Sequence, residues 1–162
     1  MYPRPFPPDA TFTFIDKAAW KRGPWDSEPD KIVWVDKATG LDCMIHRGPG
    51  GALCGYVGVS EGHPLFKRVY HDVHAPVHGG LTFSAPCSED GCEITGRGIC
   101  HDPQPGRPEH VWWFGFDCAH SFDYAPGFAL YGFASPDDEY RDIEYLVGEV
   151  QGLAANIKDR ED

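Results

Sequence analysis

Hydrophobic positions in this chain follow a strand-like period over most of its length and switch to a helical period once, near the C-terminus. Thr11 to Ile15 alternates apolar and polar residues, which predicts an early strand. Lys31 to Val35 is β-branched and aromatic, bounded by Pro29 and by Ala38-Thr39-Gly40, and reads as a second strand. Leu41 to His46, the turn Arg47-Gly48-Pro49-Gly50 and Ala52 to Val59 predict a meander; a turn centred between Gly48 and Pro49 would set Cys43 opposite Cys54. Leu81 to Ser84 is a further short strand. Val111 to Cys118 sends aromatic residues to both faces, as a central strand buried on both sides would. Ala18 to Arg22 suits one helical turn before Gly23-Pro24 ends it.

The helical period comes last. Ile143, Leu146, Val147, Val150, Leu153, Ala154 and Ile157 form one apolar stripe. Upstream, Ser135-Pro136-Asp137-Asp138 offers a capping Ser, a Pro at the first helical position and two acids for the helix N-terminus. The spacing predicts a long amphipathic helix over 136–158, packed on one face of a small antiparallel-rich sheet. The fold class is α+β, in a single domain spanning 1–162. Residues 1–10, with four prolines, read as an extended arm. Residues 85–110, rich in Cys, Gly and Pro and poor in apolar side chains, read as an inserted excursion.

Composition supports that picture and narrows the functions. The 19 Gly and 15 Pro favour short strands and turns over a bundle, and five Trp can fill a core. The balance of 14 basic to 25 acidic residues, net −11, argues against direct nucleic-acid binding. An acidic surface gives solubility, and could also mimic nucleic acid or engage a basic protein partner. Met1 to Ala10 lacks the apolar run of a secretion signal, and no stretch approaches the ~20 apolar residues that span a bilayer. The expectation is a cytoplasmic protein without membrane contact, whose six cysteines are thiols or metal ligands.

Two short motifs carry candidate chemistry. In Val77-His78-Gly79-Gly80-Leu81-Thr82, paired glycines beside a polar residue can aim backbone N–H groups at one spot as an anion nest. In Phe116-Asp117-Cys118-Ala119-His120-Ser121-Phe122-Asp123, which ends the aromatic strand, Asp117, His120 and Asp123 offer carboxylate and imidazole groups for a divalent metal or an acid–base pair. His78, Asp117, His120 and Asp123 are therefore the candidate catalytic residues. Tyr56, Gly79, Gly80, Thr82 and Trp113 are the candidate ligand-binding residues. Cys54 and Cys118 are the positions for a nucleophilic thiol, although both lie in apolar strands, where inert buried thiols are the rule. Cys87, Cys92, Cys100 and His101, with His110 beyond, could gather around zinc in the excursion. His63, His71 and His74 read as a solvated loop. The glycines of Cys54-Gly55-Tyr56-Val57-Gly58 mark either a ligand's approach or room for a large core side chain.

The motifs Leu53-Cys54-Gly55-Tyr56-Val57-Gly58-Val59, Val77 to Thr82, Gly98-Ile99-Cys100-His101 and Trp112 to His120 together resemble a family of bacterial and bacteriophage proteins. So do Trp25 to Asp30, Gly40 to Cys43 and Gly62 to Leu65, so that the likeness covers most of the chain. Relatives read Ala-Gly-Asp after the His, where this chain has Ser121-Phe122-Asp123. The resemblance implies a setting, a phage-type accessory protein acting in a host cytoplasm, rather than a mechanism. Three functions fit: a protein that binds a small polar, nucleotide-like ligand in an aromatic pocket, a metal-dependent hydrolase using zinc or another divalent ion, and an acidic inhibitor of a host protein.

Overall fold

A computed structural model of the chain describes residues 8–87, 99–100 and 110–161. Six strands form one antiparallel sheet: β1 (Ala10–Phe12), β2 (Lys31–Val35), β3 (Asp42–Arg47), β4 (Leu53–Ser60), β5 (Phe83–Pro86) and β6 (Val111–Asp117). Their spatial order is β1-β2-β3-β4-β6-β5, so β6 lies inside the sheet between β4 and β5. A four-residue helix, α1 (Pro126–Ala129), and a long one, α2 (Ile143–Ile157), complete the α+β architecture.

Side-chain alternation assigns each strand residue to one of two layers. Ile32, Trp34, Cys43, Ile45, Leu53, Val57, Phe114 and Phe116 face the stripe of α2, and all are buried. Val33, Met44, Tyr56, Val111 and Trp113 face the other way, under Phe12, Phe83, Cys87 and Ile99. The glycines of β4 serve this packing. A Cβ on Gly55 would sit 2.5 Å from the Phe116 ring and 2.7 Å from Val150 of α2, so its absence lets helix and sheet approach.

Several elements depart from the sequence expectation. Helix α2 begins at Ile143 and not at 136. Ser135 and Asp138 close a local turn instead, through Ser135 N–H to Asp138 Oδ2 (2.8 Å) and Asp138 N–H to Ser135 O (3.0 Å). Glu139 then pairs through its backbone with Phe122 and Tyr124, which holds the chain extended. The operative caps are Asp142, which accepts from Tyr145 N–H, and Glu28, which accepts from Ile143 N–H, both at 2.9 Å. At the other end His63 Nε2 lies 3.0 Å from the Ile157 and Lys158 carbonyls. The β3–β4 turn is longer than expected, closed by Gly48 N–H to Ala52 O with Gly51 at φ +95°. Cys43 therefore faces Val57, and Cys54 faces His46. No helix forms over Ala18–Arg22; a 3-10 turn starts at Pro24 instead. Ala85 and Pro86 belong to β5, so the excursion starts after them.

Cys87 and Cys100 are joined in a disulfide. Their sulfurs are consequently unavailable for the proposed zinc site, and the expectation of thiols or metal ligands fails at both positions. Cys92 and His101 lie outside the described residues, as do residues 1–7 of the arm.

One buried polar network holds the N-terminal segment, the sheet and α2 together. Arg47, on β3, donates from Nε to Asp30 Oδ1 (2.8 Å) and from Nη1 to Tyr140 OH (2.7 Å) and Gly51 O (3.0 Å). Asp30 also meets Lys17 Nζ at 2.6 Å and accepts from the Phe14 and Ile15 amides. Tyr140 donates to Glu28, the residue that caps α2. The side chains of Arg47 and Asp30 are fully enclosed, with their polar atoms partnered.

Candidate functional site

Three segments distant in sequence meet at the edge of the sheet beside α2. The first is the turn after Val77. Gly79 (φ +68°) and Gly80 (φ +78°) take left-handed conformations that glycine adopts freely. Gly79 is required twice over, because a Cβ there would lie 2.5 Å from Cε1 of the His120 ring. The turn does not act as an open anion nest. The His78 amide donates to Glu149 Oε1 of α2 (2.8 Å) and the Gly80 amide to Val77 O (2.8 Å). The anion this backbone meets is the protein's own carboxylate.

The second segment follows β6. Asp123 N–H returns to His120 O (3.0 Å), closing a turn with Phe122 at φ +74°. That is the position where a type II turn calls for glycine. The turn forms nonetheless, and Phe122 is left 64% exposed. Phe122→Gly is expected to raise stability by up to about 1 kcal/mol, since it relieves the left-handed strain and uncovers little apolar surface. Chemical denaturation would check this; a loss of stability would mean that the ring carries packing at the site.

The third segment comprises Arg141 and α2. Asp123, nearly enclosed, accepts from His78 Nε2 (2.9 Å to Oδ2), Arg141 Nε (3.0 Å to Oδ1) and the His120 amide (3.1 Å). Burial pushes its carboxyl up, but the His78 and Arg141 hydrogen bonds outweigh that and hold it below the usual carboxylate range. His78 Nδ1 lies 2.7 Å from the Tyr145 hydroxyl. Burial, with Glu149 nearby, pushes that phenol up, so Tyr145 stays protonated. His120 Nδ1 is 3.3 Å from Asp117 Oδ1 and 3.9 Å from Asp123 Oδ2. Asp117 is steadied by Thr82 Oγ1 (3.0 Å) and the Ala119 amide (3.1 Å).

The structure thus brings together His78, Asp117, His120, Asp123, Gly79, Gly80 and Thr82. Among the described residues, His78, His120 and Asp123 are the only three His, Cys, Asp or Glu whose potential ligand atoms all gather within 4.8 Å. Tyr56 and Trp113 belong elsewhere: both are buried on the opposite face of the sheet, Tyr56 edge-on to Phe83 and Trp113 bonded through Nε1 to Cys87 Sγ. Cys118 is enclosed, and burial with Asp123 nearby pushes its thiol up; Cys54 is pushed up to about 11 by burial and Asp117. Neither supplies a thiolate near neutral pH. His63, His71 and His74 remain apart from the cluster.

Sequence reasoning missed Tyr145, Glu149 and Arg141. Tyr145 and Glu149 stand one turn apart on α2, and that i, i+4 pair at the edge of the apolar stripe was the available signal. It also missed a cleft of about 520 Å³ that opens beside His120 and Asp123, lined further by Phe122, Phe128, Phe133 and Asp138. Helix α1 positions the cleft wall, since the Gly127 and Phe128 amides both donate to Gly50 O of the β3–β4 turn (2.8 and 3.1 Å). No family model, curated protein or solved structure matches the chain.

Proposed function

We propose that the protein is a hydrolase in which His78, His120 and Asp123 hold a divalent cation that activates water beside this cleft. The observation that supports the reading is the convergence of these three side chains from segments some forty residues apart, with Gly79 left bare so that the His120 ring can enter. Arg141 bonds Oδ1 of Asp123, while Oδ2 accepts from His78 Nε2 and the His120 amide, so an ion between Oδ2 and His78 would replace their mutual hydrogen bond. Tyr145 can orient His78 in either state. With Asp123 ionised, a neutral His78 donates from Nε2 and accepts from Tyr145 at Nδ1. Were Nε2 to ligate a cation, the ring proton would sit on Nδ1 and the Tyr145 hydroxyl, both donor and acceptor, would accept from it. Asp117 backs His120 as an outer carboxylate, a common support for a ligating imidazole. Three protein ligands beside an open cleft leave room for water, whose acidity the ion raises.

The test is elemental analysis with native mass spectrometry on protein purified without a histidine tag or chelator, alongside hydrolysis of a panel of nitrophenyl esters and phosphoesters. Near-stoichiometric metal is expected, lost together with hydrolysis in His120→Ala and Asp123→Asn. Hydrolysis unchanged in His120→Ala would sink the reading. A second reading is favoured by the cleft itself: a small-molecule binding protein, the phage-type accessory role that the sequence motifs suggest, acting without chemistry. A metal-free protein that carries a small molecule from the cell would support that role over the hydrolase.

A further inference from the structure

The cleft beside His120 has a chemical bias of its own. Phe122, Phe128 and Phe133 line it while remaining 64%, 45% and 77% exposed, whereas Trp25, Trp34 and Trp113 of the same chain are buried. Aromatic rings gathered in solvent mark a surface built for contact. The charged residues on the lining are Asp123 and Asp138, and neither Lys nor Arg is among the lining residues. Arg141, next to the cleft, already spends Nε on Asp123 and Nη1 on Glu139 (2.9 Å). Asp138 uses Oδ2 to accept from the Ser135 amide (2.8 Å), which fixes the carboxylate's orientation.

We infer that this cleft takes a small organic cation, an alkyl- or arylammonium group on an apolar body. Ring faces attract a cation through their quadrupole, and Asp138 adds a carboxylate to them. Asp123 is paired with Arg141, so the lining carboxylate that a phosphate or carboxylate ligand would meet as like charge is Asp138, within a chain of net charge −11. This choice of ligand departs from the nucleotide-like ligand suggested by the sequence, because the aromatic residues that line the cleft come without a cationic partner for phosphate. A volume near 520 Å³ suits a small molecule. The inference rests on the cleft being the substrate site of the proposed hydrolase; the ammonium would be held by the phenylalanine rings and Asp138, and not by the three groups that hold the ion.

The experiment is therefore calorimetric titration of EDTA-treated protein with three probes of one shape: 2-phenylethylammonium, 2-phenylethanol and phenylacetate. The ammonium is expected to bind about tenfold more tightly than the alcohol, with phenylacetate weakest. Phe133→Ala should weaken the ammonium about tenfold and Phe133→Trp should restore it; Asp138→Asn should erase its advantage over the alcohol. Phenylacetate binding as well as the ammonium, or an ammonium affinity unmoved by both Phe133→Ala and Asp138→Asn, overturns the inference. Because the probes are not hydrolysed and the metal is removed, this result is independent of whether the hydrolase reading stands.

Discussion

Arg47→Ala is expected to lower the unfolding free energy by about 3–5 kcal/mol, the usual cost of removing one partner from a buried, hydrogen-bonded ion pair. The guanidinium is fully enclosed and bonds Asp30, Gly51 O, Tyr140 and Pro29 O, while Glu28 lies at 3.4 Å. Its removal leaves Asp30, equally enclosed, with Lys17 as its remaining charged partner. It also loosens Tyr140 and Glu28, and with Glu28 the cap on the first amide of α2. Against a typical total of about 5–15 kcal/mol, such a loss brings the domain close to unfolding. Guanidinium denaturation at neutral pH checks it; a loss below about 1 kcal/mol would show that the network contributes no more than a surface pair.

The same network has an acid signature. Burial pushes the Asp30 carboxyl up, yet hydrogen bonds from Lys17, the Ile15 and Phe14 amides and Arg47 together hold it below the ordinary value. A depressed carboxyl binds its proton more readily in the unfolded chain. Its stabilisation is thus fully present above the unfolded value, near pH 4, and is lost as pH falls through the lower folded value. Asp30→Asn should therefore be less stable than the wild type at pH 7 and lose less stability on acidification. Urea melts at pH 7, 4 and 3 test both halves of that statement, and parallel acid limbs for the two proteins would contradict it.

How much of this was legible depended on how local each signal was. The stripe Ile143–Ile157 and the buried strand Val111–Asp117 follow from side-chain period alone, and both elements formed where that period lies. The start of α2 did not, because Ser135-Pro136 imitates a cap in sequence, while the real caps include Glu28, more than a hundred residues away. Strand register failed for a related reason: the left-handed Gly51 lengthens the β3–β4 turn and shifts every pair along it. Of the site, His78 and the Asp117–Asp123 segment stood out as motifs, but their meeting is a tertiary fact. Trp113, a ligand-binding candidate by its motif, stands instead in the core, where the period of its strand puts it. Tyr145 and Glu149 were hidden inside a helix read only for its apolar face.

Gly79→Ala should separate folding from the site more sharply than any substitution of a ligating residue. Its neighbour provides the control, since Gly79 and Gly80 share a left-handed backbone at φ +68° and +78°. Alanine at either position carries a similar strain, about 1–2 kcal/mol. They differ in what lies beyond. Nothing stands within 4 Å of a Cβ on Gly80, whereas a Cβ on Gly79 meets the His120 ring at 2.5 Å, forcing the ring to move. His120 is a proposed ligand that lies beside Asp117 and Asp123, so its displacement disturbs the proposed ion site. Gly80→Ala is thus expected to lower the melting temperature while leaving metal affinity within a few-fold of wild type. Gly79→Ala should lower affinity about 10–100-fold, the range seen when support for a metal ligand is lost. Calorimetric titration with zinc and with manganese, paired with thermal melts, gives both readouts on each variant. Equal affinities for the two variants would mean that the His120 ring is not a ligand, and that Gly79 is bare only to let two segments pack.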